Sequence, residues 1–245
     1  MITNAKDDYM NKKMFTLALV SMLAILVLAG CVGSDANEDG LPESDRNSEG
    51  IIKDPNLRKA ILEELDLPVS SDDHSRPNVD DLEELISLNA GVSDVTSLEG
   101  LEAAVNLEEL TLGGNDITDI GPLAKLTSLE ILSLASNNVS DLSALSDLTS
   151  LTRLNLEDNE IRDIADLSGL INLELLNLSE NEISDISELS PLTSLNVLGL
   201  TNNKIENVSA LAELTSLKTL FIENNPVKDL TPVENLPNLE ELFTE

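Results

Sequence analysis

The chain has 245 residues, of which 41% are hydrophobic and 2% aromatic, and its 14 Lys and Arg stand against 46 Asp and Glu for a formal net charge of −32. This balance makes nucleic acid a poor partner, because contacts to phosphate need a basic face, and it favours basic proteins, cations or neutral surfaces. The single cysteine, Cys31, excludes disulfide bonds within the chain.

The chain begins with features of an export signal. An apolar run over residues 14–30 follows Lys12 and Lys13 and ends at Cys31. A basic start, a short apolar stretch and small residues at a cleavage site are typical of a secretory signal rather than of a spanning helix. The sequence Leu28-Ala29-Gly30-Cys31 resembles the lipobox of bacterial lipoproteins, which implies cleavage before Cys31 and lipidation of its thiol. Residues 1–30 are therefore predicted to be a lipoprotein signal peptide. We expect the mature chain to be lipid-anchored to the outer side of a bacterial cytoplasmic membrane, at the cell surface or envelope.

Residues 31–50 are acidic and contain almost nothing to bury, so they are predicted to form a disordered tether. Within them, Asp35, Asn37, Asp39 and Gly40 resemble the D-x-N-x-D-G calcium loop, with oxygen ligands on alternating residues and Gly at the sharp turn. The twelfth position holds Arg46 in place of a bidentate Glu. Asp35, Asn37 and Asp39 are thus a candidate Ca²⁺ site, and no other cofactor is expected.

A predicted amphipathic helix over residues 53–67 comes next. Asp54 suits the N-cap and Pro55 the first helical position. Four apolar side chains fall on one side of this helix: Leu57, Ile61, Leu62 and Leu65. Residues 51–81 are therefore predicted to form a helical N-terminal cap that covers the open end of the next domain.

Six consecutive blocks of 22 residues, spanning residues 104–235, align without an insertion. Each follows the pattern L-x-x-L-x-L-x-x-N-x-I, in which the alternation L-x-L indicates a short strand whose leucines face inward. The period identifies leucine-rich repeats, whose coils must stack because one coil cannot bury its own leucines. We assign residues 82–245 to this repeat domain.

Two polar columns recur with the same period. The asparagine amides can donate and accept toward the backbone of their own and the adjacent coil, so they are predicted to form a structural ladder: Asn115, Asn137, Asn159, Asn181, Asn203 and Asn225. The second column contains Asp119, Asp141, Asp163, Asp185 and Asp229, with Asn207 in the fifth place. Each of these carboxylates is expected to accept from N–H groups of the following turn; the alternative is a row of bound cations.

The cap sequence D-P-N-L-x-x-A-I, the segment DDLEELISLNAGVSDVTSLEGLE and the units reading N-x-I-x-D-I resemble internalin-family proteins over residues 51–245. This resemblance implies an α/β repeat solenoid, a leucine-rich-repeat horseshoe with a parallel β-sheet on its concave face, short 3₁₀ turns on its convex face and a helical N-terminal cap. It also implies a role in binding another macromolecule. The first coil, residues 82–103, lacks the Asn and is expected to have an atypical spacing, as suits a terminal repeat.

Side chains between the inward leucines should point onto the concave face. Six of them are candidate partner-binding residues: Ile131, Arg153, Leu175, Val197, Phe221 and Phe243. Leu175, Val197 and Phe221 are expected to form an apolar patch with an acidic rim, and exposed aromatics are common hot spots. The alternative is that Phe243 packs over the open end of the solenoid and Phe221 follows it.

No catalytic constellation is apparent, because the chain has one histidine, His74, and its serines and carboxylates recur with the repeat. We therefore predict a non-enzymatic protein that binds a protein or other macromolecule through its concave face. The alternative is a structural, calcium-binding protein of the cell envelope without a specific partner. The last strand, near residues 239–243, should be a sheet edge; its glutamates favour a monomer, and pairing with a second copy is the other possibility.

Overall fold

The computed structural model describes residues 51–69 and 76–244. In this part of the chain, eight strands form one parallel sheet in the order of the sequence. The strands are β1 (Ser87–Asn89), β2 (Glu109–Thr111), β3 (Ile131–Ser133), β4 (Arg153–Asn155), β5 (Leu175–Asn177), β6 (Val197–Gly199), β7 (Thr219–Phe221) and β8 (Glu241–Phe243).

The register of the sheet follows directly from the 22-residue period. Each residue of a strand lies opposite the residue 22 positions later, as Leu154 of β4 lies opposite Leu176 of β5. The middle residue of every strand from β1 to β7 is a buried leucine, while its two neighbours face away from the core. The expected leucine-rich-repeat solenoid is confirmed, with this sheet on its concave face.

Short 3₁₀ turns lie on the convex side, where each coil returns to the next strand. They span Leu101–Ala103, Gly121–Lys125, Ser143–Leu145, Ala165–Leu167, Ser187–Leu189 and Ser209–Glu213, and the last coil has a short α-helix there, α3 (Thr231–Glu234). A buried leucine or valine from each turn, such as Leu167 and Leu189, enters the same core as the strand leucines. Hydrogen bonds between the strands hold neighbouring coils about 4.8 Å apart on the sheet side only. The opposite side is bulkier and needs a wider spacing, so the stack curves around the sheet.

The N-terminal cap is built around α1 (Pro55–Glu64), which begins and ends within the predicted range of 53–67. Asp54 is its N-cap, as predicted, and its Oδ1 accepts from the N–H groups of Asn56 (2.8 Å) and Leu57 (3.0 Å). Leu57, Ile61 and Leu62 are buried, and Leu65 is half-buried against the core.

A second short helix, α2 (Val79–Glu83), begins with a capping box. Asn78 Oδ1 accepts from the N–H of Asp81, and Asp81 Oδ2 accepts from the N–H of Asn78 at 2.8 Å. Leu82 of this helix is buried. The predicted boundary between cap and repeats, at residues 81 and 82, falls inside α2.

The prediction of an atypical spacing in the first coil was wrong. Strand β1 pairs with β2 at the same offset as every other pair, with Ser87 opposite Glu109. Ser93 occupies the place of the ladder asparagine. Each ladder asparagine bonds to the coil before its own, as described below, and the first coil follows a helical cap rather than another coil. It therefore needs no asparagine, although its spacing is regular.

Candidate functional site

The outward side chains of the strands form two columns along the concave face. Register places Ile131, Arg153, Leu175 and Val197 side by side on β3 to β6 in one column. Phe221 and Phe243 are neighbours in the other column, on β7 and β8. The six predicted partner-binding residues thus share one continuous surface of the sheet.

Burial differs along these columns. In the column that ends with the two phenylalanines, Thr111 is exposed and Ser133 and Asn155 are half-buried, whereas Asn177 and Gly199 are buried. Among the six predicted residues, Ile131, Arg153, Val197 and Phe243 are half-buried. The other two, Leu175 and Phe221, are only 7% and 3% exposed.

The two phenylalanine rings stack on each other. Their centroids are 4.6 Å apart and their planes differ by 7°. Because neighbouring strands lie about 4.8 Å apart, two aromatic side chains in register reach this contact without distorting the sheet. Phe221 therefore stabilises the last two coils by packing, whatever its contribution to binding.

A polar network lies beside the columns, where the chain leaves each strand. Asn177 Nδ2 donates to Glu157 Oε2 at 3.0 Å, and Asn177 Oδ1 accepts from the N–H of Ser179 at 3.1 Å. On the next coils, Thr201 Oγ1 donates to Glu223 Oε2 at 2.9 Å. These bonds hold two carboxylates against the concave face.

Gly199 makes room for this network. A Cβ atom at this position would lie 2.4 Å from Asn177 Oδ1, closer than any real contact allows. The glycine therefore permits the Asn177 side chain to lie across β6. Sequence reasoning missed this role, because a glycine inside a strand indicates close approach but does not identify the approaching group.

The ladder asparagines join neighbouring coils. Asn181 Oδ1 accepts from the N–H of Ile161 at 3.0 Å, and its Nδ2 donates to the carbonyl of Leu156 at 2.9 Å, both on the preceding coil. Its Nδ2 also lies 3.1 Å from the Leu178 carbonyl of its own coil. Asn115, Asn137, Asn159, Asn203 and Asn225 make equivalent bonds.

The aspartate column serves single turns. Asp185 Oδ1 accepts from the N–H of Ser187 at 2.9 Å, and Asn207 accepts from Ser209 in the same way and at the same distance. The expectation that these side chains accept from the following turn is confirmed. Bonds from the backbone and side chain of the following Ser lower the pKa of Asp141 and Asp185, and bonds from Thr231 lower that of Asp229.

A column that sequence analysis missed has left-handed backbone geometry. It consists of Val92, Gly114, Ser136, Asp158, Glu180, Asn202 and Asn224, all with positive φ. Glycine and asparagine at three of these positions were the available signal. Val92 is the outlier, because a β-branched residue rarely adopts its φ of 51°, and it is 86% exposed.

Several predicted features lie outside the described residues. These are the signal peptide over residues 1–30, the lipidation of Cys31, the tether over residues 31–50 with the candidate calcium ligands Asp35, Asn37 and Asp39, and His74. Among the residues that are described, no group of three or more His, Cys, Asp or Glu side chains is arranged to hold a metal ion. None of the helices in residues 51–69 and 76–244 has the length and hydropathy needed to cross a bilayer.

The family model of leucine-rich repeats in two copies matches residues 105–146, 127–169 and 171–213. Internalin C2 from Listeria monocytogenes is similar, with 30% identity and a TM-score of 0.63, over 79% of this chain and 95% of that one. The functional domain of InlJ from the same organism has 24% identity and a TM-score of 0.63, over 79% of this chain and 46% of that one. The plant peptide hormone receptor RGFR1, in complex with RGF2, has 28% identity and a TM-score of 0.54, over 60% of this chain and 25% of that one. No curated protein matches the sequence.

Proposed function

We propose that this chain, which belongs to the internalin-like leucine-rich-repeat proteins, binds another protein through the concave face of its sheet. The observation that carries this proposal is the outward column across β3 to β6. This column includes the half-buried apolar side chains of Ile131 and Val197, on either side of the buried Leu175. The protein as a whole is strongly acidic, with a net charge of −32. Apolar side chains that lie outside the core and face a concave surface are suited to contact a protein partner.

A polypeptide partner is further supported by the likeness to RGFR1, which is a plant peptide hormone receptor in complex with RGF2. Within each coil, different residues hold the fold together and face the concave surface, which also supports a binding role rather than a catalytic one. Inward leucines and the asparagine ladder hold the coils together, so the outward columns are free to vary from coil to coil.

We also infer that the protein acts outside the cytoplasm, held to the outer side of a bacterial membrane by a lipid on Cys31. The support is the sequence Leu28-Ala29-Gly30-Cys31 after an apolar run. A Cys31→Ser variant is expected to incorporate no labelled palmitate and to leave the membrane fraction. Undiminished labelling of that variant would contradict the anchor.

Concave binding is tested by adding a charge to the outward column. In Ile131→Glu and Val197→Glu, the capture of a partner from the surface of co-incubated cells is expected to fall at least about tenfold, because a carboxylate would be desolvated in the interface. The matched control is Ile171→Glu, which adds the same charge at a residue that is 53% exposed and lies outside the sheet. Equal loss in the control, or no loss in the two strand variants, would contradict binding at the concave face.

A further inference from the structure

We propose that the concave face contains a site for one cationic side chain of the partner, formed by Glu157, Ser179 and Glu223. The group that fits this site is the ammonium of a lysine or the guanidinium of an arginine in an extended polypeptide segment. This inference rests on the proposed function, since it names the chemistry of a partner that binds the same face.

The three residues occupy equivalent positions, each two residues after the end of a strand, on β4, β5 and β7. The Glu157 carboxylate leans forward by one coil, because its Oε2 accepts from Asn177 on β5 at 3.0 Å. The Glu223 carboxylate leans back by one coil, because its Oε2 accepts from Thr201 at 2.9 Å. The two carboxylates therefore lean toward the coil of Ser179 from opposite sides along the solenoid.

Ser179 supplies an independent indication that a ligand belongs there. The residue is 0% exposed, and within the described part of the chain its Oγ is a buried side-chain oxygen without a hydrogen-bond partner. Buried hydroxyl groups are nearly always hydrogen-bonded, so an unpaired one calls for a specific explanation. A ligand that donates or accepts a hydrogen bond at this point would provide it.

The hydroxyl is directed to the concave side. Gly199 lies in an outward column of the sheet, between Asn177 and Phe221, and a Cβ on it would project onto that face. Such a Cβ would lie 3.0 Å from Ser179 Oγ and 2.4 Å from Asn177 Oδ1. Both oxygens therefore lie over Gly199, on the face where a partner would bind.

Acceptors predominate in this cluster, which selects for a ligand with several N–H donors. Two carboxylates and a hydroxyl can receive the three N–H groups of an ammonium or the fork of a guanidinium. Val197, which is half-buried on the adjacent column, offers apolar surface for the methylene stem of such a side chain. The overall charge of −32 attracts basic segments to the protein, and these three residues select where the cation binds.

The test measures binding of two labelled peptides to the full-length protein by fluorescence anisotropy at physiological ionic strength. One peptide alternates arginine and leucine, and the other replaces each arginine with citrulline, which has the same shape without the charge. The arginine peptide is expected to bind at least about tenfold more tightly. The Glu157→Gln, Glu223→Gln double variant should bind it at least about tenfold more weakly and should no longer distinguish the two peptides.

The matched control is the Glu188→Gln, Glu213→Gln double variant, which removes the same charge from two exposed residues of the convex 3₁₀ turns. It should bind the arginine peptide like the unmodified protein. Equal weakening in both double variants, or equal affinity for the two peptides, would overturn the site. Glutamine keeps the oxygen that accepts from Asn177 or Thr201, and matching thermal unfolding curves will show that the fold is intact.

Ser179→Ala tests the hydroxyl itself and is expected to weaken binding of the arginine peptide several-fold; unchanged binding would remove Ser179 from the site.

Failure of this site is separable from failure of concave binding. If Val197→Glu abolishes partner capture while the Glu157→Gln, Glu223→Gln variant retains it, the cationic site is wrong and concave binding stands. If neither variant changes capture, both are wrong.

Discussion

Asparagine and aspartate recur at the same period in this chain, but they act over different distances. A ladder asparagine bonds to backbone groups 20 and 25 residues earlier, as Asn181 does with Ile161 and Leu156. An aspartate of the other column bonds to an N–H group two residues later, as Asp185 does with Ser187. The amide needs both a donor and an acceptor to serve two coils, whereas the aspartate needs only an acceptor, which explains why Asn207 substitutes for it.

Replacing a ladder asparagine should therefore uncouple two coils. Asn181→Ala leaves the buried N–H of Ile161 and the carbonyl of Leu156 without this partner, and we expect the free energy of unfolding to fall by about 2 to 4 kcal/mol. Chemical denaturation measures this loss. Ser93→Ala is the control at the equivalent position of the first coil, where Ser93 Oγ bonds only to Gly91 two residues away, and it should cost less than about 1 kcal/mol. Similar losses in both variants would contradict the ladder.

Val92 presents the opposite case, a residue whose replacement should stabilise the fold. It holds a φ of 51°, where a side chain with a Cβ is strained by about 1 to 2 kcal/mol, while two equivalent coils use asparagine, Asn202 and Asn224. Val92→Asn is expected to raise the free energy of unfolding by about 1 kcal/mol. Val105→Asn, at an exposed valine without positive φ, is the control and should give no gain. No gain at Val92 would mean that the strain is already relieved.

Among the elements, the cap helix α1 is joined to the first coil through one carboxylate. Asp54 Oδ1 caps the helix, and its Oδ2 accepts from the N–H of Thr96 (2.9 Å) and of Ser97 (3.3 Å) on the first coil. Asp54 thereby serves the first coil much as a ladder asparagine serves the others. Burial to 5% exposure opposes its ionisation, but the donors from Thr96, Leu57 and Asn56 outweigh burial and lower its pKa.

Asp54 should make the stability of the cap dependent on pH. A carboxyl whose pKa is lower in the folded state stabilises the fold above the unfolded-state pKa, and this stabilisation is lost as the pH falls through the folded-state pKa. Asp54→Asn removes the acceptor facing Thr96 and Ser97, so we expect it to cost about 2 to 3 kcal/mol at pH 7. The difference between the two proteins should shrink as the pH falls below about 4. Denaturation across this pH range measures it, with Asp116→Asn as an exposed control; a difference that is constant with pH would contradict the argument.

The described unit as a whole is a stack in which each coil contacts only its neighbours. Leu176 lies between two strands and is fully buried, while Leu242 on the last described strand has a neighbour on one side and is half-buried. Stability in such a stack is close to a sum of coil and interface contributions. The same substitution should therefore cost most in the middle.

Leu176→Ala is expected to lower the free energy of unfolding by about 2 to 5 kcal/mol, because it leaves a cavity between three coils. Leu242→Ala should cost less than about half as much, because solvent already reaches that side chain. Urea denaturation compares the two variants. Equal losses would indicate that the last coil is as tightly enclosed as the centre.

Sequence alone was sufficient to predict the repeat period, the inward leucines, the Asp54 cap and the two polar columns. These features depend on contacts between residues at fixed separations in the sequence. Because the period is 22 residues, residues 22 positions apart are neighbours in space. The left-handed column escaped notice because four of its seven positions hold valine, serine, aspartate or glutamate, and only three hold the glycine or asparagine that indicates it.

The candidate site could be predicted only in part. Sequence placed Ile131, Arg153, Leu175, Val197, Phe221 and Phe243 on the strands where register brings them together. It left open whether Phe221 contacts a partner or packs with Phe243, and the structure shows the packed arrangement. It could not predict that Asn177 lies across Gly199 beside an unpaired Ser179 hydroxyl. The repeat pattern determines where each Cβ lies, because backbone hydrogen bonds set the register. Only the tertiary structure decides how side chains from different coils turn toward one another, because their rotamers depend on all their neighbours at once.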